Sequence, residues 1–121
     1  MAQIMVLDDV YDAAQLTKRI LEENGHHVHA FTEEEEALNF VRENTIDLAI
    51  LDIRLKQKTG IEILAELKKL SPDTRVMMLT GYPTIETAQA ALQLGATEYC
   101  VKPIDTEELE DKVDKILRAK L

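Results

Sequence analysis

The chain has 121 residues, is 45% hydrophobic and 31% charged, and carries a formal net charge of -9, which suits one soluble domain, 1–121, with its own core and not a disordered tail. So acidic a surface argues against direct contact with nucleic acid or an anionic membrane, and it attracts metal cations. A lone cysteine excludes an internal disulfide framework, no apolar run approaches the roughly 20 residues of a membrane span, and no basic segment leads into an apolar one at the N-terminus, so residence in the cytoplasm is expected.

The first apolar run, Ile4–Leu7, reads as a buried strand and is followed at once by Asp8 and Asp9. One aspartate would suffice to cap the next helix; two in a row point to something more. That helix places Ala13, Leu16, Ile20 and Leu21 on one face and ends at "NG", 24–25. "HHVHAF" at 26–31 is a weaker strand, and it ends without an obvious functional group. His27 and His29 alternate along it with no third ligand in view, so they read as ordinary strand histidines. Thr32 and Glu35 stand in capping-box spacing before a helix whose apolar face is Ala37, Leu38 and Val41. The acid run "EEEE" at 33–36 reads as a solvated first turn, favoured by the positive end of the helix dipole.

The third strand, Leu48–Leu51, runs straight into Asp52. The next helix, with Ile63, Leu64 and Leu67 inward, opens near Gly60, too far along for Asp52 to cap it. Val76–Leu79 is the fourth strand, its Met77–Met78 pair being core and not a soft-metal site, and Thr80 and Gly81 follow. The fourth helix carries Ile85, Ala88, Ala91 and Leu92 and closes at Gly95. Tyr99–Val101 is the last strand, with Cys100 a small buried hydrophobe, and Lys102 and Pro103 follow it. Leu109, Val113, Ile116 and Leu117 line the final helix, with Asp105 and Glu108 as its cap pair.

Strand and helix alternate five times. That order predicts a doubly wound α/β domain: right-handed crossovers, a five-stranded parallel sheet, and helices on both faces. Ligands bind such sheets outside the carboxyl ends of the strands. There the fold would gather Asp8, Asp9, Asp52, Thr80 and Lys102. Singly each has an ordinary explanation as a cap, a turn residue or a surface charge. Together they form three carboxylates, a hydroxyl and an ammonium on one edge. Clustered carboxylates repel unless a cation neutralises them, and an all-oxygen donor set suits a hard ion such as Mg²⁺ that keeps positions for water and phosphate oxygens. A carboxylate can itself be the nucleophile of an aspartyl phosphate. Lys102 would then balance phosphoryl charge and Thr80 would hydrogen-bond a phosphoryl oxygen.

The segments "VLDD" at 6–9, "LAILDIRL" at 48–55, "TG" at 80–81 and "YCVKP" at 99–103 resemble, in order and spacing, the receiver domain of bacterial two-component response regulators, the CheY-like superfamily, over essentially the whole chain. The resemblance implies a flavodoxin-like strand order 2-1-3-4-5. It implies that Asp52 is the phosphoacceptor. The metal, Mg²⁺ or Mn²⁺ in its place, would be held by Asp9 directly, by Asp8 mostly through water, by Asp52 and by the backbone carbonyl of Arg54. Thr80 and Lys102 would contact the phosphoryl group, and Tyr99 would be the switch aromatic that turns inward when Thr80 moves. The Lys102–Pro103 bond would be cis. Arg54 and Tyr82, two residues after the aspartate and the threonine, would tune dephosphorylation. One departure is Lys56, where relatives often have proline; a looser or differently shaped loop is expected there.

The implied function is phosphoryl transfer from a sensor histidine kinase or histidine phosphotransfer protein to Asp52. The domain would catalyse only its own phosphorylation and slow dephosphorylation. The readout would be the face built by the fourth helix, fifth strand and fifth helix, acting on an effector domain or protein or forming a homodimer on phosphorylation. "TGYPTIETAQAALQLGATEY" is similar to receivers attached to transcription activators. Three alternatives differ in class. An Asp-nucleophile phosphatase for small molecules usually has its nucleophile in a D-x-D after the first strand and a cap insertion, and neither is found. A flavodoxin-like binding module needs a glycine- or hydroxyl-rich phosphate loop after the first strand, where this chain reads "LDDVYDAAQ". A receiver fold used only for protein contacts would not need the full acid, threonine and lysine set.

Overall fold

The computed structural model describes residues 2–119. The elements run β1 (Gln3–Leu7), α1 (Tyr11–Glu23), β2 (His27–Phe31), α2 (Glu34–Glu43), β3 (Leu48–Leu51), α3 (Gly60–Leu70), β4 (Arg75–Thr80), α4 (Ile85–Gln93), β5 (Glu98–Val101) and α5 (Thr106–Arg118). All strands are parallel, in the order β2-β1-β3-β4-β5. Leu7 pairs with Phe31 and Leu51, Leu51 with Met78, and Thr80 with Val101. That register brings the carboxyl ends of the three central strands level.

Strand side chains alternate between two cores. Met5, Leu7, Ala49, Leu51, Val76 and Met78 meet Ala37, Leu38 and Val41 of α2, Ile63, Leu64 and Leu67 of α3, and Ala91 of α4. Ile4, Val6, Leu48, Ile50, Met77 and Leu79 face the other way, toward Leu21 of α1 and Leu109, Val113 and Ile116 of α5. The continuous apolar runs follow directly: a parallel strand covered on both sides has no polar face. The termini of the helices are closed by specific means. Gly25 and Gly95 adopt φ 97 and 101, the left-handed region that ends α1 and α4. Thr59 and Glu62 form a reciprocal capping box on α3, as Thr84 and Thr87 do on α4. The guanidinium of Arg75 donates to the carbonyls of Ile116, Leu117 and Ala119 at 2.9, 3.1 and 2.7 Å, closing the end of α5 from the start of β4.

Three local expectations are corrected. Thr32 does not cap α2: the helix starts at Glu34 with Glu33 in the cap position and no side-chain cap bond. The acid run is not wholly solvated either, because Glu34 is turned inward and only 4% exposed. Leu16 in α1 and Ile85 and Leu92 in α4 lie exposed, so their helices bury narrower stripes, Ala14 with Leu21 and Ala91. The apolar residues of α4 mark a face without cover, not a core stripe. Among the described residues no helix is long and apolar enough to cross a membrane.

Candidate functional site

The sheet ladder continues one residue past β1, β3 and β5. Asp8 N–H donates to Phe31 O (3.1 Å), Asp52 N–H to Leu7 O (3.1 Å) and Lys102 N–H to Thr80 O (2.8 Å). Strand pairing therefore fixes the backbones of the two aspartates and the lysine. Asp8 and Asp52 are each 5% exposed and Thr80 is fully buried, so the polar end of each strand sits at the rim of the core and not in open water.

Lys102 Nζ donates to Asp8 Oδ2 at 2.6 Å and to Asp52 Oδ2 at 3.1 Å. The other oxygens of these carboxylates are tied to their own turns: Asp8 Oδ1 accepts from Val10 N–H at 3.0 Å and Asp52 Oδ1 from Arg54 N–H at 3.3 Å. Asp9 completes a cluster in which one carboxylate oxygen from each aspartate lies within 4.8 Å of the others. Its carboxylate has no hydrogen-bond or ion-pair partner among the described residues. One ammonium thus bonds two of the three clustered carboxylates, while the charge of Lys56 acts on Asp9 from further off. Burial pulls the Lys102 pKa down, but the hydrogen bond and charge of Asp8, then those of Asp52, outweigh it and hold the ammonium above the ordinary lysine value. The donor set fits a hard divalent ion: oxygen only, carboxylates, partly open to solvent through Asp9.

Thr80 is the last residue of β4, where its Oγ1 accepts from Tyr82 N–H at 3.0 Å, leaving its own proton to donate. Tyr99 makes no hydrogen bond to Thr80 among the described residues. Its hydroxyl meets Thr87 Oγ1 at 2.7 Å while its half-buried ring packs against the core beneath α3 and α4. The Arg54 guanidinium stacks on the Tyr82 ring, 4.1 Å from its centroid, so these two exposed residues join the loops after β3 and β4 above the site. The Lys102–Pro103 peptide is cis.

Two features that hold the site escaped the sequence. Gly60 packs so tightly on the end of β3 that a Cβ there would lie 1.9 Å from the Asp52 carbonyl oxygen. Its N–H donates to Ile53 O at 2.7 Å, and Arg54 pairs with Thr59 in an antiparallel bridge, closing the loop on itself. Glu34 Oε2 accepts from Lys58 N–H at 2.8 Å and also from Gln57 N–H, and Lys56 pairs with Glu33. The loop with Lys56 in the proline position is therefore anchored from α2 and α3, so of the two expectations from Lys56, a looser or a differently shaped loop, the looser one is not what forms. No sequence period marks Glu34, although its place beside an apolar face was a usable sign; the signal for Gly60 was its place at the mouth of a helix.

The family model for the response regulator receiver domain matches residues 4–114. The transcriptional regulatory protein ZraR of Escherichia coli (strain K12) is 35% identical over 114 residues, covering 94% of this chain and 26% of that protein. The chain spans about a quarter of the length of the first curated relatives it matches. The sporulation initiation phosphotransferase F of Bacillus subtilis (strain 168) is 30% identical over 118 residues, covering 98% of this chain and 95% of that one. The crystal structure of a CheY-like response regulator receiver domain protein from Methanospirillum hungatei JF-1 superposes with a TM-score of 0.94 at 32% identity, covering 97% and 94% of the two chains. Matched from the first strand into the last helix, and in one relative almost end to end, the chain belongs to the receiver domains of two-component response regulators.

Proposed function

We propose that residues 1–121 act as one phosphoacceptor unit, taking a phosphoryl group onto Asp52 from the phosphohistidine of a kinase or histidine phosphotransfer protein. The observation that carries the reading is the imbalance at the sheet edge: one ammonium, Lys102, between Asp8 and Asp52, with the Asp9 carboxylate making no hydrogen bond or ion pair among the described residues. Asp8, Asp9, Asp52 and the Arg54 carbonyl would hold Mg²⁺, or Mn²⁺ in its place. When bound, the ion offsets the carboxylate charge and that of the incoming phosphoryl oxygens.

The residues of the chain then divide the work. An Asp52 carboxylate oxygen attacks phosphorus, the O–P bond forms, the P–N bond to the donor imidazole breaks, and the imidazole nitrogen keeps the bond electrons. Rigid mounting on β3 aligns that oxygen, since two N–H groups and an ammonium already orient the two buried carboxylates. Lys102 transfers its donors to a phosphoryl oxygen. Thr80, whose proton is uncommitted, donates to another. The Arg54–Tyr82 stack covers the rim and limits the water that hydrolyses the acyl phosphate, which is the tuning role of these two positions.

Movement of Thr80 toward the phosphoryl group would shift the β4–α4 loop. The Tyr99–Thr87 bond ties β5 to the first turn of α4, so the ring and helix would move together. The exposed Ile85, Leu92 and Val101 supply apolar contact on the α4–β5–α5 face for an effector or a second copy. The setting is the cytoplasm. Incubation with a small acyl-phosphate donor and Mg²⁺, followed by intact mass, tests the reading. One phosphoryl adduct is expected in the wild type and none in Asp52→Asn or without divalent ion; a folded wild type that gains no adduct refutes it.

A further inference from the structure

Glu34 is a charged residue in the wrong place for a helix surface. It is 4% exposed, and one of its oxygens, Oε2, accepts two successive backbone N–H groups, Gln57 and Lys58. Those two donors belong to the loop that starts at Ile53 and closes through the Arg54–Thr59 bridge. Its neighbour Glu33 reaches the same loop through Lys56, but that pair is about half exposed on each side. On the far side Lys58 pairs with Glu66 of α3 at 2.7 Å. The loop tip is thus held between two helices, and the only buried carboxylate in that grip is Glu34. Successive N–H groups turned toward one anion form a concave donor set that an acid fills well.

We infer that Glu34 is a positioning residue for the metal: by fixing residues 57 and 58 it holds the loop that offers the Arg54 carbonyl beside Asp9 and Asp52. The inference rests on the phosphoacceptor reading and extends it to a residue outside the carboxylate cluster. Glu34 touches neither the ion nor the phosphoryl group. Its effect would pass through three residues of backbone, constrained at the base by Gly60 N–H on Ile53 O. Outer groups that orient metal ligands typically change affinity by about 10–100-fold when removed.

The test is a Mg²⁺ titration followed by backbone amide NMR on the wild type, Glu34→Ala, Glu34→Gln and Glu33→Ala. Glu34→Ala is expected to bind Mg²⁺ about tenfold more weakly. Its Gln57 and Lys58 amides are expected to exchange with solvent faster while β4 amides stay protected. Glu34→Gln keeps an acceptor oxygen and is expected to lose less than about threefold, and Glu33→Ala to match the wild type, as exposed pairs contribute little. Where Glu34→Ala does not fold, Glu34→Asp replaces it: the oxygen is withdrawn by one methylene, and weaker binding than in Glu34→Gln is expected. A folded Glu34→Ala, or in its place Glu34→Asp, that binds Mg²⁺ as tightly as the wild type overturns the inference alone. A wild type that binds no Mg²⁺ overturns the phosphoacceptor reading, and this inference with it.

Discussion

Gly60→Ala puts a single methyl group against the backbone of Asp52. The added carbon would lie 1.9 Å from the Asp52 carbonyl oxygen, 2.8 Å from its carbonyl carbon and 2.9 Å from Ile53 Cα. All three are backbone atoms, so no side chain can swing aside. Contacts under 3.0 Å are essentially not found, so α3 or the end of β3 must retreat by about 1.1 Å. β3 lies between β1 and β4 in the sheet and resists; α3 is held by Ile63, Leu64 and Leu67, all fully buried. The strain is expected to cost about 1–3 kcal/mol, as overpacking does. A displacement of about 1 Å at a reacting group can also lower its rate by about 100-fold. Gly81→Ala is the control, because a Cβ there meets nothing nearer than Lys102 Cβ at 4.0 Å. Urea unfolding measures the stability, and the rate of the phosphoryl adduct by intact mass measures the chemistry. A Gly60→Ala protein as stable and as reactive as Gly81→Ala would refute the close-approach argument.

The remaining predictions address charge and capping. Lys102→Met leaves Asp8 and Asp52 facing one another without their ammonium; a loss of about 1–3 kcal/mol in chelator is expected, partly restored by Mg²⁺, in thermal unfolding. Equal stability of mutant and wild type in chelator would contradict it. Arg75→Met removes three donors from the end of α5 and is expected to cost about 2 kcal/mol in urea while leaving the phosphorylation rate unchanged, since it lies at the opposite edge of the sheet. For Glu34, burial raises the pKa, but the N–H groups of Lys58, Gln57 and Glu34 itself, with the charge of Lys56, prevail and lower it below the ordinary 4.5. A depressed carboxyl stabilises the fold above its unfolded pKa and loses that contribution as pH falls through the folded value. The stability difference between wild type and Glu34→Gln is therefore expected to be constant from pH 7 to about 5 and to shrink at lower pH, read from urea midpoints; a difference that grows on acidification would refute the assignment.

What was legible in the chain divides by how the information is carried. Asp8, Asp52 and Lys102 were readable because each directly follows an apolar run, with Asp9 next to Asp8, and a parallel sheet must bring such ends together. The same rule placed Thr80, but not the direction of its hydroxyl, which depends on Tyr82 N–H. The apolar faces of α2, α3 and α5 were largely right because their stripes are buried; those of α1 and α4 were too wide, since Leu16, Ile85 and Leu92 have the spacing of core residues and no neighbour to cover them. Periodicity reports which side chains share a face and nothing about what lies opposite. Glu34 shows the limit most clearly. In an acid run the solvated reading is the sensible one, and what defeats it is a pair of backbone N–H groups 23 and 24 residues away. Backbone donors leave no mark in a sequence. The loop with Lys56 looked looser for the same reason: a missing proline is visible, whereas the carboxylate that anchors the loop lies in another helix. A receiver can therefore keep its candidate site residues in the expected order and still position them through contacts that their order does not reveal.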